Sequence, residues 1–180
     1  MKPKVTERDM QFAVYNWRRF IQPYPMLLCN IYYWHWESDC LYITKSGYLW
    51  EFEVKVTRSD FFADAAKETK HRALLNGSGP ARFYYVCPEG LITPDECPPH
   101  AGLLFATWNE KWKHWRARVV RESPRSKTNQ IPERQWRELA YKAIDRFWSI
   151  REREDLLRER WETEKRKIED KLDNVKCEGK

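Results

Sequence analysis

Glu51-Phe52-Glu53-Val54-Lys55-Val56, preceded by Glu37-Ser38-Asp39, is the stretch on which the fold of this chain turns. Side chains alternate between faces along a strand, so Glu51, Glu53 and Lys55 share one face. Trp50, Phe52, Val54 and Val56 share the other, the face expected to be buried. A surface strand with solvated charges would show the same alternation. The flanking strands are so apolar, however, that this hairpin belongs at the centre of a sheet. There, three charges on one side are costly unless they pair or hold a metal. Two carboxylates converging on a divalent cation, with a lysine beside them, suit phosphodiester cleavage.

The neighbouring segments supply the rest of a layered fold. Residues 6–20 read as a helix with Thr6 as N-cap and Phe12, Tyr15 and Phe20 near one face, ended by Pro23 and Pro25. Residues 26–34 are apolar, β-branched and aromatic, which predicts a first strand. A second strand over 39–44, a Lys45-Ser46-Gly47 turn and a third strand over 48–57 form a hairpin, with Gly47 where a turn needs positive φ. Ser59 is placed to cap a helix over 60–75, closed by Asn76-Gly77-Ser78-Gly79-Pro80. A fourth strand spans 82–87, and the loop over 88–99 holds a short strand at Leu91-Ile92. Residues 102–108 and 112–120 form a last hairpin. This order predicts an α/β fold with a mixed central sheet flanked by helices.

Residues 123–130 read as a polar, basic linker. Beyond them, 132–172 is nearly continuous helix former. Trp136, Ala140, Ala143, Phe147, Ile150, Leu157, Trp161 and Ile168 make an apolar seam at 3–4 spacing, interrupted by Glu154 and Glu164. Twelve Lys/Arg against eleven Asp/Glu in that span argue against a main nucleic-acid contact there. The segment reads as a long packing or dimerising helix, so a homodimer or a protein partner is expected through it.

Composition bounds the class. A chain of 180 residues holds one well-buried domain plus an extension. With 42% hydrophobic and 33% charged residues it folds rather than stays disordered. Ten Trp, nine Tyr and eight Phe serve core and interface packing first, and stacking on unpaired bases second. A net charge of +6 favours a polyanionic partner. No apolar run approaches membrane-spanning length and Met-Lys-Pro-Lys opens no signal sequence, so a cytoplasmic protein without a membrane partner is expected. Five scattered cysteines with no Cys-x2-Cys pair suggest reduced thiols and no structural zinc. His35-Trp36-Glu37 spells the His-x-Glu of zinc deaminases, but their Pro-Cys-x-x-Cys partner is absent.

The candidate site follows from these strands. Mg2+ or Mn2+ takes one or two carboxylates and completes its shell with water and phosphate. Asp39 and Glu53 supply the carboxylates from adjoining strands, and the Val54 carbonyl a further oxygen. Lys55 projects to the same side, where it orients or deprotonates water or stabilises charge on phosphate. Glu37 and Glu51 are secondary candidates, with Arg58 an alternative partner for Glu51. Glu7 is another, although a first-turn glutamate also simply favours a helix N-terminus. Asp60, Asp64, Lys67 and His71 recur at i, i+4, i+7 and i+11. With Lys70 this predicts a helical stripe in which Lys67, Lys70 and His71 hold a phosphate and the aspartates anchor them; a solvated, salt-bridged face is the plainer account. His114, Arg116 and Arg118 alternate with Trp115, Ala117 and Val119, giving a basic strand face suited to a nucleic-acid backbone or to solvent.

Asp39, thirteen intervening residues and then Glu53-Val54-Lys55 in a helix-first α/β layout resembles the PD-(D/E)XK nuclease superfamily. A wider block is similar to its MmcB-like DNA-repair branch and phage-borne relatives. That block comprises Glu37-Ser38-Asp39-Cys40-Leu41, the run from Gly47 to Lys55, Arg58-Ser59-Asp60-Phe61 with Asp64, and Lys70-His71. It continues with Phe83-Tyr84-Tyr85-Val86-Cys87-Pro88-Glu89-Gly90-Leu91-Ile92 and Ala101-Gly102-Leu103. The resemblance covers about 6–105; Ser38 stands where the motif has proline, and the C-terminal helix has no counterpart. It implies a restriction-endonuclease-like core, taken over 1–122; the residues themselves add a linker over 123–131 and a long charged helix over 132–180 for packing or dimerisation. The resemblance further implies a Mg2+-dependent deoxyribonuclease, with Asp39 and Glu53 as ligands and Lys55 as the catalytic lysine. Such an enzyme serves DNA repair, recombination or phage DNA metabolism, in a bacterial cell or phage-infected host. The alternative is a non-catalytic nuclease-fold module that binds DNA or a protein, as an inhibitor or adaptor.

Overall fold

The computed structural model describes residues 4–22, 26–64, 67–128 and 130–178, with side chains through residue 169. The expected helix-ending prolines, Pro23 and Pro25, lie outside the described residues, as do Ala65 and Ala66. The chain divides into two compact units, Met1–Gln135 and Trp136–Lys180.

The first unit opens with α1 (Glu7–Ile21). Thr6 caps it as expected and joins Asp9 in a capping box, so two otherwise orphaned backbone N–H groups are satisfied. Six strands follow: β1 (Met26–Tyr32), β2 (Glu37–Ile43), β3 (Leu49–Val54), β4 (Arg82–Pro88), β5 (Gly102–Asn109) and β6 (His114–Arg121). They form one sheet in sequence order. Neighbours are antiparallel except β3–β4 and β4–β5, which are parallel, so the sheet is mixed and β3 and β4 lie at its centre. Between β3 and β4 run α2 (Arg58–Asp64) and α3 (Glu68–Asn76).

Strand alternation sends two sets of apolar side chains to two separate cores. Met10, Ala13 and Val14 of α1 pack over Tyr42, Phe52, Val54, Tyr84 and Val86. Arg18 adds a buried clamp, donating to the Tyr42 hydroxyl at 2.7 Å with its guanidinium over that ring. On the opposite face Phe61 of α2 and Leu74 of α3 pack with Phe83, Tyr85, Leu103 and Phe105. The charged face of β3 therefore looks into a covered layer rather than into solvent.

Four expectations need correction. The helix over 60–75 is two helices, because Lys67 leaves the helical region at φ −80, ψ 61 and its ammonium is drawn to Asp64 and Glu53. Ser59 does not cap: the N–H of Asp60 donates to the Thr57 hydroxyl, so the helix starts at Arg58. β3 ends at Val54, one residue before Lys55. Leu91 and Ile92 form no strand; the N–H of Leu91 closes a turn on the Pro88 carbonyl. The described residues of the basic linker lie in neither helix nor strand, yet they are tied down. Ser126 N–H donates to the Ala81 carbonyl, and the Ser123 hydroxyl accepts from Phe83 N–H.

The chain ends in α4 (Glu133–Glu178), 46 residues long. Among the described residues no helix is long and apolar enough to cross a membrane.

Candidate active site

β3 delivers Glu51 and Glu53, and the residue after it Lys55, beneath α2 and α3. All three are at most 3% exposed, as is Lys70 of α3. Burial on this scale is tolerable only because the charges neutralise one another. Lys70 Nζ lies 2.7 Å from Glu51 and 2.5 Å from Glu53. Lys55 Nζ lies 3.0 Å from Glu53 and 3.2 Å from Asp64, while Lys67 reaches Glu53 at 3.0 Å and Asp64 at 2.8 Å. Tyr85 donates to Asp64 at 2.6 Å, and the Trp36 indole donates to Glu51 at 3.0 Å.

The protonation states follow from that geometry. Burial alone would raise the Glu53 carboxyl, but the ammoniums of Lys70 and Lys55 outweigh it and hold the group below its ordinary value. Burial likewise opposes ionisation of Asp64, and hydrogen bonds from His71, Lys67 and Tyr85 reverse the balance. Glu51, wholly buried, stays above its ordinary value despite Lys70. Lys55 would be lowered by burial, yet Glu53 and Asp64 raise it overall. Lys55 is thus held as a cation that donates to Glu53.

Asp39 stands apart from this balance. It sits beside β3 in the β2 ladder, and its Oδ2 accepts from Val54 N–H at 2.7 Å. Burial first and the neighbouring Glu53 charge second push its carboxyl up to about 7. It lines a cleft of about 680 Å³ together with Glu7, Asn30, Glu37, Glu53, Lys67 and others. Two hard carboxylates from adjoining strands, one of them short of positive charge, are a donor set that suits Mg2+ with most of its shell left as water. Among the described residues no group of three His, Cys, Asp or Glu side chains is disposed to hold a metal.

The sequence-predicted residues divide accordingly. Asp39, Glu53, Glu7, Glu37, Lys67 and Lys70 converge on the cleft. Glu7 keeps its first-turn position and also accepts from Asn30 and Gln11 at the rim. Glu51 pairs with Lys70, not with Arg58, which pairs with Glu96 at 2.5 Å. Lys70 and His71 do not stand on a solvated outer stripe. Lys70 is spent on two glutamates, and His71 bridges Asp64 and His100. Only the Lys67 side chain, 52% exposed, keeps an open aspect. Asp60 does pair with Lys55, at 3.5 Å. Arg116 and Arg118 lie exposed on β6, an edge strand, and Arg118 pairs with Glu89. Trp36, Tyr85, His100 and Asn30 are members that local pattern does not disclose. Asn30 carries one signal, since asparagine tolerates its φ of 53° better than most residues.

No protein-family model and no curated protein matches this sequence. The fold is similar to a solved structure, a protein of unknown function from Silicibacter pomeroyi. The TM-score is 0.60 and the identity 22%, covering 84% of this chain and 92% of that one. The likeness is one of fold alone.

Proposed function

We propose that the protein is a Mg2+- or Mn2+-dependent deoxyribonuclease of the PD-(D/E)XK type, a cytoplasmic hydrolase of phosphodiester bonds. One observation carries this reading. Asp39 and Glu53, each one residue beyond the last β2–β3 pair, Cys40–Phe52, line the same open cleft, and Asp39 is raised to about 7 by burial first and the Glu53 charge second, as expected of carboxylates set to share a cation. Asp39, Glu53 and the Val54 carbonyl would hold the metal. The bound ion would supply a nucleophilic water and neutralise phosphate charge. Lys55, held protonated by Glu53 and Asp64, offers positive charge beside that point and helps orient the attacked group. Lys67, on the open side of the cleft, is the cation best placed to meet a neighbouring backbone phosphate. DNA repair, recombination and phage DNA metabolism are the settings such chemistry serves.

A specific observation favours a second reading. Glu53 is engaged on both oxygens by ammoniums, Lys55 and Lys67 on one and Lys70 on the other. A charge network this complete also suits a nuclease-fold module that binds DNA or a protein without cutting.

Metal-dependent cleavage of plasmid and duplex DNA separates the two. Asp39→Asn and Glu53→Gln are the variants to use, since alanine at Glu53 would remove one carboxylate partner from each of three lysines and leave a gap. The nuclease reading expects cleavage to depend on metal and to fall by a hundredfold or more, roughly, in either folded variant. Wild-type rates in both variants would overturn it. A folded wild type that cuts nothing would move the case to the binding module.

A further inference from the structure

α4 stays charge-balanced in sum, but its charges are sorted by position. Placing Phe147, Trp161 and Ile168 at a and Ile150 and Leu157 at d of a heptad gives an unbroken 3–4 seam through Glu154 and Glu164. The g positions beside that seam are Arg146, Arg153, Arg160 and Lys167; the e positions are Arg151, Arg158 and Lys165. All seven are basic. The charged residues at the outer positions over the same span are Asp145, Glu152, Asp155, Glu159, Glu162 and Glu169, with Arg166 the one cation; Trp148 and Leu156 share those positions. The seam is also bare: Phe147, Ile150, Leu157, Trp161 and Ile168 are 47–69% exposed. A solvated single helix needs i,i+4 pairs, not a stripe of exposed aromatic and aliphatic side chains.

The sorting decides what can cover the seam. In a parallel pair of identical helices Arg146 of one copy would face Arg151 of the other, Arg153 would face Arg158 and Arg160 would face Lys165; an antiparallel pair sets g against g and e against e. Every flank would be repulsive, so a second copy is disfavoured. A lipid surface would have to bury Glu154 and Glu164 in the middle of the apolar stripe. A nucleic acid would meet those carboxylates and an apolar strip between the two basic rows.

We propose that α4 is a docking helix for a partner helix of complementary chemistry, with an apolar heptad seam flanked by Asp and Glu and a basic residue opposite Glu154 or Glu164. Lys165 and Lys167 now hold intrahelical partners, Glu169 at 3.8 Å and Glu164 at 2.8 Å. Exposed pairs of this kind cost little to exchange. Covered in such a pair, Glu154 and Glu164 set register, as single polar seam residues do in coiled coils. This inference is independent of the catalytic reading.

The test uses the full chain and two labelled synthetic probes, peptides of about 28 residues with Ile at a and Leu at d, one with Glu and the other with Lys at all e and g positions. Fluorescence anisotropy should show the acidic peptide binding at least about tenfold more tightly than the basic one, with the preference shrinking at high salt. The triple variant Arg146→Glu/Arg153→Glu/Arg160→Glu, with helix content unchanged by circular dichroism, should reverse the preference. Equal affinity for both peptides, or binding of neither, would overturn the proposal. So would a stable dimer of the peptide-free protein in sedimentation, or loss of duplex-DNA binding in the triple variant without any peptide preference.

Discussion

β3 and α4 both set charge beside apolar surface, and they handle it in opposite ways. Around β3, Glu51, Glu53, Asp64, Lys55 and Lys70 are buried, and each is neutralised by a partner from another element or a neighbouring position. On α4 the charges beside the seam over 146–167 are exposed and sorted into rows, and Lys165 and Lys167 pair within the helix. Buried charge must be balanced inside the molecule, so it fixes structure; Asp39, its carboxyl raised to about 7, is the place the proposed reading gives to a ligand. Exposed sorted charge leaves its balance to something outside. The first pattern makes a site; the second makes a surface.

The largest effect expected from this contrast comes from Lys70→Ala, which leaves Glu51 and part of Glu53 without a counter-charge. Urea unfolding should show a loss of about 3–5 kcal/mol. A loss below about 1 kcal/mol would mean the network is better hydrated than its burial implies. Asp39 sharpens the picture through pH. Its carboxyl sits at about 7 in the folded chain against an ordinary 3.8, so the folded protein holds a proton that the unfolded chain has released. The stability from that proton is full below the lower value and is lost as pH rises through the upper one. In chelator, Asp39→Asn should therefore exceed the wild type by about 1–2 kcal/mol near about pH 8.5, a figure discounted for partial solvent exposure, and match it near about pH 4. Thermal unfolding at the two pH values checks this, and a pH-independent difference would contradict it. The smallest effect belongs to α4. Arg153→Ala should change stability by less than about 0.5 kcal/mol, because nothing buried depends on it. A larger loss would erase the contrast.

What the sequence discloses tracks how local the cause is. Thr6 and Asp9 are three residues apart and cap α1 by themselves, so that helix is legible. The alternation of Trp50 to Val56 needs no distant partner, and it sorts the faces of β3 correctly. The break at Lys67 is different: its cause is a carboxylate on β3, fourteen residues upstream, and no local propensity hints at it. Asp64 reads as an ion-pairing anchor on its helix, yet Lys55 and Tyr85 reach it from across the sheet. The partners of His71 and Lys70, His100 and Glu51, are likewise distant in sequence and invisible to local spacing. On α4 the heptad is plain in the sequence, and a net count hides how its charges are sorted by position.

Calorimetric titration of Mn2+ into the wild type and into Asp39→Asn/Glu53→Gln, both checked for fold by circular dichroism, bears most directly on the catalytic claim. The account predicts saturable binding to the wild type that is weakened at least about tenfold in the variant, and that fades as pH falls below about 7 while Asp39 takes up its proton. Undiminished binding in the variant, or none in the folded wild type, would contradict it.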